Sequence, residues 1–103
     1  MKRVLILGAS GGIGSACHEL LRKELDQFEI FGVTKRAHEI PNMKVIQGDL
    51  CDPVFRTKLT ESLQPHIVIA SYGRHPNENT SYMEAINEFA TSTIDLYEKF
   101  EAS

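Results

Sequence analysis

The sequence predicts an α/β fold of three layers: a parallel sheet of about four strands in the order 3-2-1-4, with helices on both faces. Three observations predict it. Short apolar runs alternate with segments of helical period along the chain, as parallel strands joined by crossover helices do. The first run is continuous rather than alternating, as in a strand covered on both faces. A glycine-dense turn and an amphipathic pattern follow it at once.

Val4 to Leu7 is the first strand, an aliphatic run that stops at Gly8. With Met1-Lys2-Arg3 ahead of it the segment superficially looks like a secretion signal, but four apolar residues are too few for a signal core or a bilayer span. A helix is expected over Gly12 to Leu25, with Ile13, Cys17, Leu20 and Leu21 on its inner stripe. Phe28 to Thr34 is the second strand, and Lys44 to Gln47, around Val45 and Ile46, a short third. Asp52 then reads as an N-cap and Pro53 as the first helical residue, where a missing N–H costs nothing. Phe55, Leu59 and Leu63 give this helix an inner face, and Pro65 closes it.

Ile67 to Ala70 is the fourth strand. A polar loop through Pro76 and Asn79 leads to Ser81-Tyr82-Met83-Glu84, a capping-box pattern. The last helix runs from there to about Phe100, with Ile86, Phe89, Ala90, Ile94 and Tyr97 inward. Right-handed crossovers between such strands make half of a doubly wound sheet.

Composition narrows the partners. The 103 residues are expected to form a single domain, 42% hydrophobic and 24% charged, as in ordinary globular proteins. A net charge of −3 and a pI near 5.8 leave no basic stripe for nucleic acid. No segment is long enough for a membrane span. Cys17 and Cys51 form neither a metal spacing nor a disulfide framework, so the cytoplasm is the expected compartment. His18, His38, His66 and His75 have no partner at ligand spacing and read as surface residues.

The chemistry is concentrated in Gly8-Ala9-Ser10-Gly11-Gly12-Ile13-Gly14. Four glycines in seven residues exceed what a tight connection requires, since each carries an entropic cost. Gly8 lets the chain leave the strand sharply. Gly11 or Gly12 keeps side chains from between the backbone N–H groups and a pyrophosphate, and Gly14 lets the helix lie close to the sheet. Ser10 and Ile13 belong to the same phosphate-facing turn, where unpaired amides and the positive dipole end of the helix meet an anion.

Two other nucleotide motifs drop out. An NTPase loop needs Gly-Lys-Ser/Thr, and here Gly14 precedes Ser15-Ala16. Methyltransferases usually place an acid at the end of the second strand, where this chain has none. That same gap bears on the dinucleotide. About 20 residues past the glycines an NAD site puts an acid on the ribose, and this chain has Thr34, Lys35 and Arg36. A hydroxyl and two cations suit a 2′-phosphate, so NADP(H) is expected to be preferred over NAD(H).

The turn resembles that of the short-chain dehydrogenase/reductase superfamily. Gly8, Gly11 and Gly14 match its extended and atypical members, and Gly8, Gly12 and Gly14 its compact reductases. Later residues are similar to the first group, the NAD-dependent epimerase/dehydratase-like enzymes. Gly48-Asp49-Leu50-Cys51-Asp52 resembles their Gly-Asp-Leu-x-Asp, which implies a place for Asp49, and Leu50 after it, beside the adenine. Ile67 to Ser71 resembles the fourth strand, whose end, here Ala70 and Ser71, runs past the nicotinamide ribose; Tyr72 departs from the common pattern. Asn87-Glu88-Phe89-Ala90-Thr91 resembles Asn-x-x-Gly-Thr and implies a cofactor contact for Asn87. Arg74 and His75, just past the fourth strand, are expected on the nicotinamide side. The resemblance implies a Rossmann-like cofactor half.

The family's catalytic set is a Ser/Thr after a fifth strand and a Tyr-x-x-x-Lys pair. Here Tyr72 is followed four positions on by Pro76, Tyr82 by Ile86 and Tyr97 by Glu101, so no catalytic residue is assigned. Three functions stay open. The chain is the NAD(P)-binding part of a longer reductase or epimerase, not catalytically complete by itself; or a stand-alone NAD(P)-binding regulator; or a partner-binding module that has lost the cofactor. The resemblance favours the first. An open apolar edge at Ile67 to Ala70 is expected to be covered by the C-terminal segment or by a second copy, with the last helix as the other contact for a homo-oligomer.

Overall fold

The computed structural model describes residues 1–24, 26–36, 39–72 and 81–102. Its strands are β1 (Lys2–Leu7), β2 (Phe28–Thr34), β3 (Lys44–Gln47) and β4 (Ile67–Ala70). Its helices are α1 (Gly12–Leu21), α2 (Pro53–Ser62) and α3 (Tyr82–Ala102), with a 3-10 turn at Arg22–Glu24. The strands form one sheet in the order β3-β2-β1-β4, every pairing parallel. This is the predicted order; β2, β3 and β4 have the expected limits, and β1 begins two residues before its apolar run, at Lys2.

The chain divides into two compact units. The first, Met1–Asp49 with Pro65–Tyr72, holds the sheet and α1. β1 lies between β2 and β4, Val4 opposite Ile30 on one side and Ile67 on the other. Hence its continuous apolar run: Val4, Leu5, Ile6 and Leu7 are all buried. One core cluster gathers Val4, Ile6, Ala9 and Ile30, with Cys17, Leu21, Phe28, Ile40, Met43 and Ile69 packed on it. β4 is an edge strand, and its Ile67 and Val68 are exposed. Among the described residues no strand pairs on its far side, and the C-terminal segment is helical to Ala102.

Helix α1 departs from expectation in two ways. It ends at Leu21, where the Arg22 N–H bonds the His18 carbonyl and the chain tightens into the 3-10 turn; Leu25, the expected end, lies outside the described residues. Its inner line is Gly14, Cys17, His18 and Leu21, an i, i+3, i+4, i+7 set that keeps Cys17 and Leu21 of the expected stripe and takes Gly14 and His18 in place of Ile13 and Leu20. Ile13 and Leu20 are exposed, at 70% and 69%. The missing Cβ of Gly14 draws the helix closest there, so the contact line passes through Gly14 and leaves Ile13 to one side. His18 is consequently buried, with Nε2 unpaired among the described residues, and not a surface residue. His66 is exposed, as expected, and its Nδ1 accepts from the Arg3 N–H at 2.8 Å. His38, Pro76 and Asn79 lie outside the described residues.

The second unit contains Leu50–Gln64 and, among the described residues, 81–102. Asp52 caps α2 as expected, Oδ1 accepting from the Val54 N–H at 3.0 Å, with Pro53 in the first turn. Leu59 and Leu63 are buried and Phe55 is half-buried, but Arg56 and Thr60 share that face. Ser81 caps α3, its Oγ accepting from the Glu84 N–H at 3.2 Å.

The inner face of α3 is Ala85, Ser92 and Leu96. Phe89 and Ala90 are half-buried, whereas Ile86, Ile94 and Tyr97, expected inward, are exposed. Apolar residues occupy an arc of this helix far wider than one contact needs, so period alone does not locate its centre. An ion pair does: Arg56 Nε lies 2.7 Å from Asp95 Oδ2 and turns the 85–92–96 line toward α2.

Candidate cofactor site

Parallel pairing brings the C-terminal ends of the strands to one edge of the sheet, where ligands bind in folds of this kind. Leu7 stands opposite Val33 and Ala70, and Thr34 opposite Gln47. The residues that follow these positions are the Gly8–Gly14 turn, Lys35 and Arg36, Gly48 and Asp49, and Ser71. Four separate sequence predictions therefore meet at one edge.

The turn is shaped by two glycines that nothing else can replace. Gly8 has φ +84, and a Cβ there would stand 2.8 Å from the Ser71 carbonyl oxygen and from Tyr72. The N–H groups of Gly8 and Ala9 both bond the Val33 carbonyl, at 3.2 and 3.1 Å, and the Gly11 N–H returns to the Gly8 carbonyl at 3.2 Å. A Cβ on Gly14 would run into that same Gly8 carbonyl, so the glycine sets how closely α1 approaches β1. Gly11 would meet only an ordinary contact, and Gly12 faces open space. Packing does not require glycine at position 12.

The amides explain what that space is for. Gly11 is the N-cap of α1 and offers no side-chain acceptor; the first intrahelical bond is from the Ser15 N–H to the Gly11 carbonyl, at 2.9 Å. The N–H groups of Gly12, Ile13 and Gly14 thus have no partner within the helix, and its positive dipole end lies there too. No acid occupies the first turn. Ser10 is exposed beside them, and Ile13 projects into solvent. Donors facing a gap that no side chain fills fit a diphosphate.

The flanking predicted residues take distinct positions. Thr34 is buried, and its hydroxyl donates to the Arg36 carbonyl at 2.8 Å, which fixes the bend after β2. Lys35 Nζ lies 3.9 Å from Asp49 Oδ2 across the ends of β2 and β3. Arg36 is exposed and pairs with no carboxylate among the described residues. Ala70 is exposed; Ser71 is half-buried and donates both its N–H and its hydroxyl to the Leu7 carbonyl, at 2.9 and 3.0 Å. Leu50 is buried and Asn87 exposed on α3, both in the second unit. Arg74 and His75 lie outside the described residues.

Sequence reasoning missed the Lys35–Asp49 pair, although opposite charges just past the ends of adjacent strands were a readable signal. It also missed Arg56, for which no local pattern gave a signal. Among the described residues no cluster of His, Cys, Asp or Glu could hold a metal, and no helix is long and apolar enough to cross a membrane.

Residues 4–102 match the model of the NAD dependent epimerase/dehydratase family. No curated protein matches the sequence. Among solved structures, the chain is similar to the Bordetella bronchiseptica enzyme WbmH in complex with NAD+, at 23% identity and a TM-score of 0.76, covering 98% of this chain and 36% of that one. It is also similar to a 4-hydroxyisoleucine dehydrogenase complexed with NADH and succinate, at 22% identity and a TM-score of 0.75, covering 96% and 50%. A third is uronate dehydrogenase from Agrobacterium tumefaciens, at 23% identity and a TM-score of 0.69, covering 99% and 37%. These likenesses are of fold, Rossmann-like in each case, and the chain spans between about a third and a half of the length of those proteins.

Proposed function

Because this chain belongs to the NAD dependent epimerase/dehydratase family, we propose that it binds NAD(P), with NADP(H) preferred over NAD(H), as the cofactor part of an oxidoreductase or epimerase. The observation that carries this reading is the mouth of α1, where three amides face a space cleared of side chains by Gly12. The solved relatives WbmH and 4-hydroxyisoleucine dehydrogenase hold NAD+ and NADH respectively.

In this reading the pyrophosphate takes the amides of Gly12, Ile13 and Gly14, with Gly8, Ser10 and Gly11 forming the rest of the turn. The adenosine half extends toward β2 and β3, and the nicotinamide half toward Ala70 and Ser71, because the sheet order reverses between β1 and β4. Arg36, unpaired with any carboxylate among the described residues, grips the 2′-phosphate. Lys35 reaches the same group from its loose pairing with Asp49, which with Leu50 flanks the adenine. The nicotinamide, when bound, supplies hydride transfer. That Cys17 and Cys51 form no disulfide supports a cytoplasmic protein.

Calorimetric titration tests the proposal. NADPH is expected to bind more tightly than NADH, and Arg36→Ala to weaken NADPH about tenfold, the loss of a charged phosphate contact, with NADH unchanged. Equal affinities would remove the 2′-phosphate assignment. Binding of neither would favour the partner-binding module.

A further inference from the structure

Among its described residues the second unit contains one buried cation that the proposed site does not use. Arg56 on α2 is 7% exposed, and its guanidinium is committed on two sides. Nη1 donates to the Leu50 carbonyl at 2.9 Å, a buried bond, and Nε donates to Asp95 Oδ2 on α3 at 2.7 Å. The other oxygen of Asp95 takes Lys99 Nζ at 2.6 Å, and the two cations hold this carboxyl below its ordinary pKa. A buried arginine so arranged is costly unless its donors are used.

What Arg56 holds is the chain immediately after Asp49. Leu50 is itself buried, and the carbonyl that Arg56 fixes lies one residue beyond the carboxylate that meets Lys35. Two residues further on, Asp52 starts α2, and its carbonyl accepts the Arg56 N–H at 3.1 Å. Within the second unit, the Leu50 end of the segment leading into α2 is therefore held by a side chain of that helix, and that side chain is itself held by Asp95 on α3. Five donors in a rigid fork suit two acceptors at once, which a lysine ammonium on a flexible stem does not.

We infer that Arg56 is a positioning residue for the adenosine end of the cofactor, ordering the Asp49–Leu50 segment through the Leu50 carbonyl. This rests on the proposed function, because the segment matters to a ligand only if the adenosine half lies across β2 and β3. Without the guanidinium, part of the binding energy of the ligand goes into ordering the link. The effect belongs to one end of the ligand. Inorganic pyrophosphate, which uses only the mouth of α1, gains nothing from Arg56.

The test is calorimetric titration of the full chain and of Arg56→Met and Arg56→Lys with AMP, inorganic pyrophosphate and NADH. Both variants are expected to weaken AMP about tenfold, about 1.4 kcal/mol, and to leave pyrophosphate within about twofold. Should Arg56→Met fail to fold, Arg56→Lys keeps a cation beside Asp95 and carries the same expectation. AMP affinity unchanged in a folded variant would overturn the inference. So would AMP and pyrophosphate affinities falling together, the mark of a merely structural role. If the unaltered chain binds neither AMP nor NADH, the proposed function fails first and takes this inference with it; failure of the inference alone shows as NADH binding that the variants share.

Discussion

Helices α1 and α2 are each 10 residues long, yet their N-termini are built in opposite ways. At α2 the Asp52 carboxylate takes the Val54 N–H and Pro53 has no N–H to satisfy. At α1 the cap is Gly11, which offers no acceptor, and the amides after it are left to solvent or a ligand. A side-chain cap contributes about 1 kcal/mol to a helix, so α1 forgoes stability that α2 takes. Under the proposed function, this difference marks the cofactor site, with a ligand phosphate as the acceptor that α1 lacks.

The largest effect expected is at Gly14, where the opening at α1 depends on close packing. Gly14→Ala puts a methyl group into the Gly8 carbonyl and should destabilise the fold by roughly 2–4 kcal/mol, as overpacking against unyielding backbone does. Urea denaturation measures it; a change under about 0.5 kcal/mol would mean that α1 has room to move off the strand.

At α2 the same experiment should read differently. Asp52→Ala removes a cap and nothing else, at about 1 kcal/mol and a melting temperature lower by about 4–8 °C, with NADPH affinity unchanged. Weaker NADPH binding in this variant would show that the two helix starts are not independent, and would blur the contrast.

The smallest effect sharpens the account of the second unit. The carboxyl of Asp95, lowered by its hydrogen bonds to Lys99 and Arg56, contributes stability that is present above the ordinary carboxylate value of 3.8 and lost as pH falls through its lower folded value. Stability should fall on acidification below about pH 4, and Asp95→Asn should flatten that acid limb while lowering stability near neutral pH. An acid limb identical in the two proteins would assign the loss to other carboxylates.

The strands and the shape of the glycine turn were legible because their signals are local. Val4 to Leu7 is a run of apolar residues that only a central strand buries on both faces, and Gly8 and Gly14 answer to a backbone angle and a carbonyl a few residues away. Asp52-Pro53 announced the start of α2 for the same reason. Helix faces were less legible. On α1 the contact line is set by the absence of an atom at Gly14, which a hydrophobic pattern does not register, so Ile13 and Leu20 were expected inside and His18 outside. On α3 the choice between two apolar faces falls to Asp95 and a partner 39 positions earlier, Arg56, and no short window of sequence contains both.

The central claim is that position 12 is glycine for the sake of a ligand and not of the fold. A Cβ there meets nothing within 4 Å, so Gly12→Val should melt within a few degrees of the unaltered protein. Its side chain would stand before the amides of α1, and titration with NADPH should show affinity weakened by at least about tenfold. A Gly12→Val protein that binds NADPH as tightly as the unaltered chain would contradict the account.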